Sequence, residues 1–93
     1  MGSGADVLRE LANNGDWRVR LAVAGNPVAP EDVLSRLAKD LESSVRRSVA
    51  ANPGTPLAVL HALVGDADGG VSSAVPKAVR LAVPREPGAD VAV

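Results

Sequence analysis

Few residues in this chain could carry out chemistry. His61 is the only histidine and there is no cysteine, which excludes disulfides, thiolate zinc sites, iron–sulfur clusters and cysteine nucleophiles. His61 has no carboxylate or second imidazole within one helical turn, so it lacks a partner for metal binding or general base catalysis. The serines have no nucleophile-elbow context, and Gly69-Gly70 lacks the lysine of a phosphate-binding loop. We therefore predict a protein that is not an enzyme and that holds no cofactor or metal ion.

Six cationic side chains form the second pattern that could have a binding or chemical function. Clustered cations could attract phosphate groups or the acidic surface of a protein. However, the net charge of the chain is −1, and Asp16 and Glu42 lie close to the cations in the sequence. We favour structural or solvated roles for most of them and keep binding to a nucleic-acid backbone as the alternative function. The strip that this alternative requires would consist of Arg18, Arg20, Arg46, Arg47, Lys77 and Arg80.

A 26-residue repeat organises the elements that must position these residues. Residues 15–40 align without gaps on residues 41–66, with 11 of the 26 positions identical. Residues 5–14 match the last part of the same unit. The identical pairs are Val19/Val45, Arg20/Arg46, Val23/Val49, Ala24/Ala50, Asn26/Asn52, Pro27/Pro53, Pro30/Pro56, Val33/Val59, Leu34/Leu60, Leu37/Leu63 and Asp40/Asp66.

Each unit is predicted to contain two short helices. The proline helix follows Pro30 or Pro56 and carries Val, Leu and Leu at i, i+1 and i+4, which form one apolar stripe. We expect Thr55 to be the N-cap of the second proline helix. The arginine helix contains Arg20 or Arg46 and ends at Asn-Pro, because the residue before proline avoids the α region. Such short helices are unstable alone, so they must stack on one another.

The repeat pattern changes after the second full unit. Continuing in phase would place Val71 at the position of Val45, but Ser72 would then replace the arginine and the Asn-Pro pair would be missing. An insertion of eight residues instead aligns residues 79–83 with residues 19–23. We prefer the insertion, which predicts a loop and then a terminal arginine helix.

These alignments predict an all-α, right-handed solenoid of about two and a half repeats. No apolar run approaches the roughly 20 residues of a membrane span, and no signal peptide is visible, so we predict a cytoplasmic protein. The predicted organisation is a flexible start (1–4), a helical-repeat domain (5–83) and an irregular tail (84–93). The domain divides into a half repeat (5–14), two repeats (15–40 and 41–66), a loop (67–75) and a terminal helix (76–83).

The repeated skeleton resembles the leucine-rich repeat variant family of bacterial helical repeats, and more broadly the HEAT- and armadillo-like repeats. The resemblance specifies the architecture only, and we predict separately that such a scaffold binds a protein or peptide partner. The iron–sulfur cluster associated with that family requires cysteines, which this chain lacks.

HEAT-like repeats also carry an Asp six residues before an Arg, and these side chains bond from repeat to repeat as a ladder. The resemblance implies that Arg20 and Arg46 are structural and bond to Asp40 and to loop carbonyls. Asn14 stands six residues before Arg20, as Asp40 does before Arg46. Ser72 stands at the arginine position of the third unit when the repeat is continued in phase. Because serine has no charge, the ladder should end before the third unit.

Partner contacts are predicted at Trp17, Arg18, Ser44, Arg47 and His61. Trp17 is the only aromatic residue, and it is either an interaction anchor or a cap over the open N-terminal end of the stack. So short a stack exposes apolar ends, which self-association would cover. We therefore expect a protein partner, a peptide or a second copy of the chain and no membrane, while binding to nucleic acid stays the less favoured alternative.

Overall fold

The computed structural model describes residues 4–81, and all regular secondary structure in that range is helical. The predicted all-α class is confirmed. Predictions for residues 1–3 and 82–93, including the irregular tail, lie outside the described residues. The helices are α1 (Gly4–Leu11), α2 (Trp17–Ala24), α3 (Glu31–Leu37), α4 (Ser43–Ala51), α5 (Leu57–Val64), α6 (Gly69–Ala74) and α7 (Lys77–Leu81).

The helices alternate between two rows. The arginine helices α2 and α4 form one row with α6, because α4 packs against both α2 and α6. The proline helices α3 and α5 bridge successive members of that row, since α3 contacts α2 and α4 while α5 contacts α4 and α6. The two rows make up the predicted helical repeat. Its right-handed sense stays a prediction.

The helix ends recur with the repeat. Asp16, Glu42 and Asp68 precede α2, α4 and α6 at intervals of 26 residues, and the carboxylates of Asp16 and Asp68 accept hydrogen bonds from backbone N–H groups of the first helical turn. Pro30 and Pro56 precede α3 and α5 in extended conformation, where the missing N–H costs no helical hydrogen bond. Local sequence therefore sets where each helix begins.

The prediction that Thr55 caps α5 was wrong. Pro56 occupies the N-cap position, and no side chain caps the helix there. The Thr55 hydroxyl instead donates to the Val49 carbonyl oxygen at 2.7 Å, so it closes the end of α4.

The core is built from small side chains contributed by successive units. Leu34 and Leu37 of α3 pack with Val45 and Val49 of α4, and all four are buried. The i, i+4 spacing of the two valines places both on the inner face of α4. The full set of buried hydrophobic residues within 4–81 is Ala12, Val23, Ala24, Ala29, Val33, Leu34, Leu37, Val45, Val49, Ala50, Leu60, Leu63, Val71 and Val75.

The predicted loop at 67–75 was wrong, because residues 69–74 form α6. The Asp68 carboxylate accepts hydrogen bonds from the backbone N–H groups of Gly70 and Val71, which stabilises a glycine-rich first turn. Val71 and Val75 are buried at positions 26 residues after Val45 and Val49. The third unit therefore continues in phase, and burial against α4 outweighs the poor helix propensity of its glycines.

The terminal helix α7 is a proline helix and not the predicted arginine helix. It follows Pro76 and packs against α5. Val75 is followed directly by Pro76, whereas residues 50–55 separate Val49 from Pro56. The third unit thus lacks six residues instead of gaining eight, and Arg80 does not correspond to Arg20.

Candidate interaction surfaces

Two arginine side chains tie the units together. Arg20 donates through Nε and Nη2 to the Asp40 carboxylate, at 2.7 and 3.2 Å, and through Nη1 to the Asn14 carbonyl oxygen at 2.7 Å. Arg46 donates in the same way to the Asp66 carboxylate, at 2.8 and 3.3 Å, and to the Asp40 carbonyl oxygen at 2.6 Å. Asp40 therefore accepts from both arginines, and the ladder is continuous from Asn14 to Asp66.

The predicted acidic partner of Arg46 was wrong. Its partner is Asp66, twenty residues later, and Asp40 contributes only its backbone carbonyl to Arg46. The reason is that Asp66 follows α5, which packs beside the arginine helix α4. In the third unit, the Ser72 hydroxyl donates to the Gly69 carbonyl oxygen within its own helix, so it does not extend the ladder.

Both ladder carboxylates have lowered pKa values. Hydrogen bonds from Arg46 hold the pKa of Asp66 below its ordinary value of 3.8, against the opposing effect of burial. Burial would raise the pKa of Asp40, but hydrogen bonds from Arg20 and from the Glu42 N–H outweigh it and lower that pKa below 3.8. Both groups are therefore ionised at neutral pH, which keeps the ladder charge-assisted.

A buried asparagine, which was not predicted to be structural, adds a second link between units. The Asn52 amide nitrogen donates to the carbonyl oxygens of Ala24 and Asn26, at 2.7 and 2.9 Å, and its oxygen accepts from the Gly54 N–H at 2.8 Å. The signal was present in the sequence, because Asn52 and Asn26 are a repeated pair. Asn52 joins the end of α4 to the end of α2.

The predicted partner-binding residues do not form one site. Trp17 and Arg18 begin α2, and Ser44 and Arg47 lie on α4, all in the arginine row. His61 lies in the last turn of α5, in the proline row. Trp17 is exposed, and within residues 4–81 it is not among the hydrophobic side chains that pack against the core.

The six cations do not form the strip that the alternative function, binding to a nucleic-acid backbone, requires. Arg18 is neutralised by Asp16 at 2.9 Å, and the two ladder arginines are neutralised by their own carboxylates. Lys77 and Arg80 lie on α7, in the proline row. Of the six cations, only Arg47 remains on the arginine row without an ion pair to another described residue.

One end of the stack exposes side chains of the kind that are buried inside it. Val7 and Leu11 of α1 are 51% and 38% exposed, whereas Val33 and Leu37, their counterparts on α3, are 3% and 2% exposed. Within residues 4–81, α3 packs against both α2 and α4, whereas α1 packs substantially against α2 alone. The difference in exposure therefore arises from stacking and not from residue type.

Val28 belongs to the same end. Its counterpart Gly54 approaches the preceding unit so closely that a Cβ atom there would lie 2.9 Å from the Pro27 carbonyl oxygen. No described residue opposes Val28 in this way, and its side chain is exposed. We call Val7, Leu11 and Val28 the N-terminal end face.

Two grooves border α3, one beside the segment that follows α1 and the other beside α5. The α1–α3 groove has a volume of about 780 Å³, and its lining includes Asn14, Arg36 and Leu37. The α3–α5 groove is smaller, about 320 Å³. Ser35 and Lys39 line both grooves, which therefore meet across α3. The floor of the α3–α5 groove is apolar and consists of Ala38, Ala58, Val59, Ala62 and Leu63.

Within residues 4–81, no three His, Cys, Asp or Glu side chains come close enough together to hold a metal ion. None of the helices described there is long and apolar enough to cross a membrane.

Comparison with known protein families identifies the repeat. Residues 17–42, which run from the start of α2 to the residue before α4, match the sequence model of the leucine rich repeat variant family. The predicted resemblance is thereby confirmed for this segment, which contains one complete ion pair of the ladder, Arg20 with Asp40. Comparisons of the chain with curated proteins and with solved structures found no match.

Proposed function

We propose that the chain is a non-enzymatic protein-interaction scaffold that binds a second copy of itself through the N-terminal end face. The contrast in exposure between Val7 and Leu11 on α1 and Val33 and Leu37 on α3 carries the proposal. A repeat scaffold is also what the family match favours. The cysteine-free sequence is consistent with a cytoplasmic location.

The chemistry of the N-terminal end face is suited to binding a second copy of the chain. Val7, Leu11 and Val28 offer apolar surface, and burying such surface contributes roughly 25 cal/mol per Å². Arg18 lies on α2 at the position of Ser44, which is half-buried where α2 covers α4. Because Asp16 neutralises Arg18, two end faces can approach without charge repulsion. We infer a two-fold symmetric dimer, in which each copy covers the other.

Sedimentation velocity over a range of concentrations tests this proposal. We expect reversible dimerisation that changes little with salt, because burial of apolar surface is not screened by ions. Val7→Glu should weaken the dimer by placing a charge in the interface. Leu57→Glu is the matched control, since Leu57 is also an exposed helical residue and its counterpart Glu31 is acidic. Circular dichroism of both variants checks that the fold is intact.

Three outcomes would overturn the proposal. The first is a chain that stays monomeric at all concentrations, and the second is an equal loss of dimer in Val7→Glu and Leu57→Glu. The third is tight binding to duplex DNA whose affinity falls steeply with salt, at a log–log slope of about −0.9 per phosphate contact, which would favour nucleic-acid binding instead. Trp17→Ala separates the two interpretations of Trp17. If Trp17 is an interaction anchor, its removal should weaken the dimer; if it is a cap of the stack, its removal should lower the free energy of unfolding.

A further inference from the structure

We propose that the α3–α5 groove binds an acidic peptide segment that inserts one apolar side chain. This inference rests on the proposed function as a protein-interaction scaffold and names a partner of different chemistry at a different surface. The groove is concave, and its floor of alanine, valine and leucine side chains has the apolar character of recognition pockets. With a volume of about 320 Å³, it accommodates a single aliphatic or small aromatic side chain.

The charge around the groove identifies the partner as acidic. Three carboxylates line the two joined grooves, and each is neutralised by an arginine: Asp32 by Arg9, Asp40 by Arg20 and Asp66 by Arg46.

Two cations near the end of α3 remain unbalanced. Within residues 4–81, the side chains of Arg36 and Lys39 form no hydrogen bond and no ion pair. Arg36 lines the α1–α3 groove, and Lys39 lies where the two grooves meet. A peptide lying across α3 could therefore pair its carboxylates with both cations while it fills the apolar floor of the α3–α5 groove.

The repeat itself does not require these two cations. The counterparts of Arg36 are Glu10 and Ala62, and those of Lys39 are Asn13 and Gly65. A residue that stacking needed would recur, as the ladder arginines do. The paired positive charge is thus a property of this one unit and is available for binding.

Fluorescence anisotropy with short labelled peptides tests the inference. The probe is a peptide in which one leucine is flanked by Asp and Glu. Three comparison peptides replace the acidic residues by Asn and Gln, replace them by Lys and Arg, or replace the leucine by Gly. We expect saturable binding of the acidic leucine peptide, at least about tenfold tighter than any of the other three.

Charge reversal locates the site. Arg36→Glu combined with Lys39→Glu should weaken binding at least about tenfold. Arg47→Glu combined with Lys77→Glu changes the net charge equally at exposed positions outside the grooves and should leave the affinity within about twofold.

A second pair of variants tests the groove floor. Ala62→Glu places a carboxylate in the groove, whereas Ala22→Glu makes the same change at an exposed position of α2. Only Ala62→Glu should weaken binding.

The inference fails if the acidic leucine peptide does not bind, if the glycine or basic peptide binds equally well, or if the control variants lose as much affinity. Sedimentation of the peptide-free chain reports separately on the end face. A chain that dimerises but does not bind the peptide contradicts only the proposed peptide site in the groove. A monomeric chain that binds the peptide contradicts only the proposed dimer.

Discussion

Replacing Arg46 by Ala should lower the free energy of unfolding by about 1–3 kcal/mol. The change removes two hydrogen bonds to the Asp66 carboxylate and one to the Asp40 carbonyl oxygen. The side chains of Arg46 and Asp66 are only 18% and 10% exposed, so water replaces these bonds incompletely. Asp66 would keep the single bond from the Asp68 N–H. The loss should therefore exceed the 0–1 kcal/mol that is typical of exposed ion pairs.

Urea denaturation followed by far-ultraviolet circular dichroism measures this loss. The matched control is Arg47→Ala, because Arg47 is the adjacent arginine on the same helix, is exposed and has no ion pair within residues 4–81. Its replacement should change the free energy of unfolding by no more than about 0.5 kcal/mol. Equal losses in the two variants would refute the reasoning.

Double-mutant cycles test which carboxylate Arg46 pairs with. The coupling between Arg46→Ala and Asp66→Asn should be about 0.5–3 kcal/mol, the range for residues in direct contact. The coupling with Asp40→Asn should be smaller, since Arg46 bonds only to the backbone of Asp40. The reverse order would show that the pairing described above is wrong.

Three further predictions concern stability. Leu34→Ala should cost about 2–5 kcal/mol in urea denaturation, because Leu34 is fully buried in the core; a loss below 1 kcal/mol would contradict the packing. Asn52→Ala should cost about 1–3 kcal/mol, because it removes the bonds to the Ala24 and Asn26 carbonyl oxygens and the acceptor of the Gly54 N–H, and only Asn26 keeps another donor, the Ala29 N–H. Asn26→Ala removes only a bond to a backbone N–H in its own turn and should cost less. The stability that Asp40 and Asp66 contribute should be complete above pH 3.8 and should be lost as the pH falls through their lower folded pKa values. Thermal melts across acidic pH measure that loss, and Asp66→Asn should make it smaller.

Much of the fold was predictable because its determinants are local. The 26-residue period identifies the core positions, since Val45, Val49 and Leu34 recur at helical spacing and an Asn-Pro pair ends each arginine helix. The positions of helix starts follow from Asp and Pro residues in the same few-residue window. These features act within one turn of helix, so a linear pattern reveals them.

Tertiary packing determined which carboxylate pairs with Arg46 and whether the third unit forms a helix. Arg46 and Asp66 are twenty residues apart, and they meet only because α5 lies beside α4. Glycine-rich residues 69–74 have low helix propensity, and burial of Val71 against α4 makes them helical. Sequence spacing alone favoured Asp40 as the partner and a loop for this segment.

The candidate interaction surfaces also depend partly on the sequence alone and partly on packing. The sequence by itself determined the residue types, including the repeated valines and leucines and the two cations near the end of α3. Only the tertiary structure decided which of them are available to a partner. Val7 is exposed while Val33 is buried, because α3 packs against two described helices, α2 and α4, whereas α1 packs substantially against α2 alone. Lys39 stays unpaired because the nearby carboxylates already bind arginines. Exposure and charge balance depend on neighbours that are distant in sequence, and the chain acquires those neighbours only when its repeats stack.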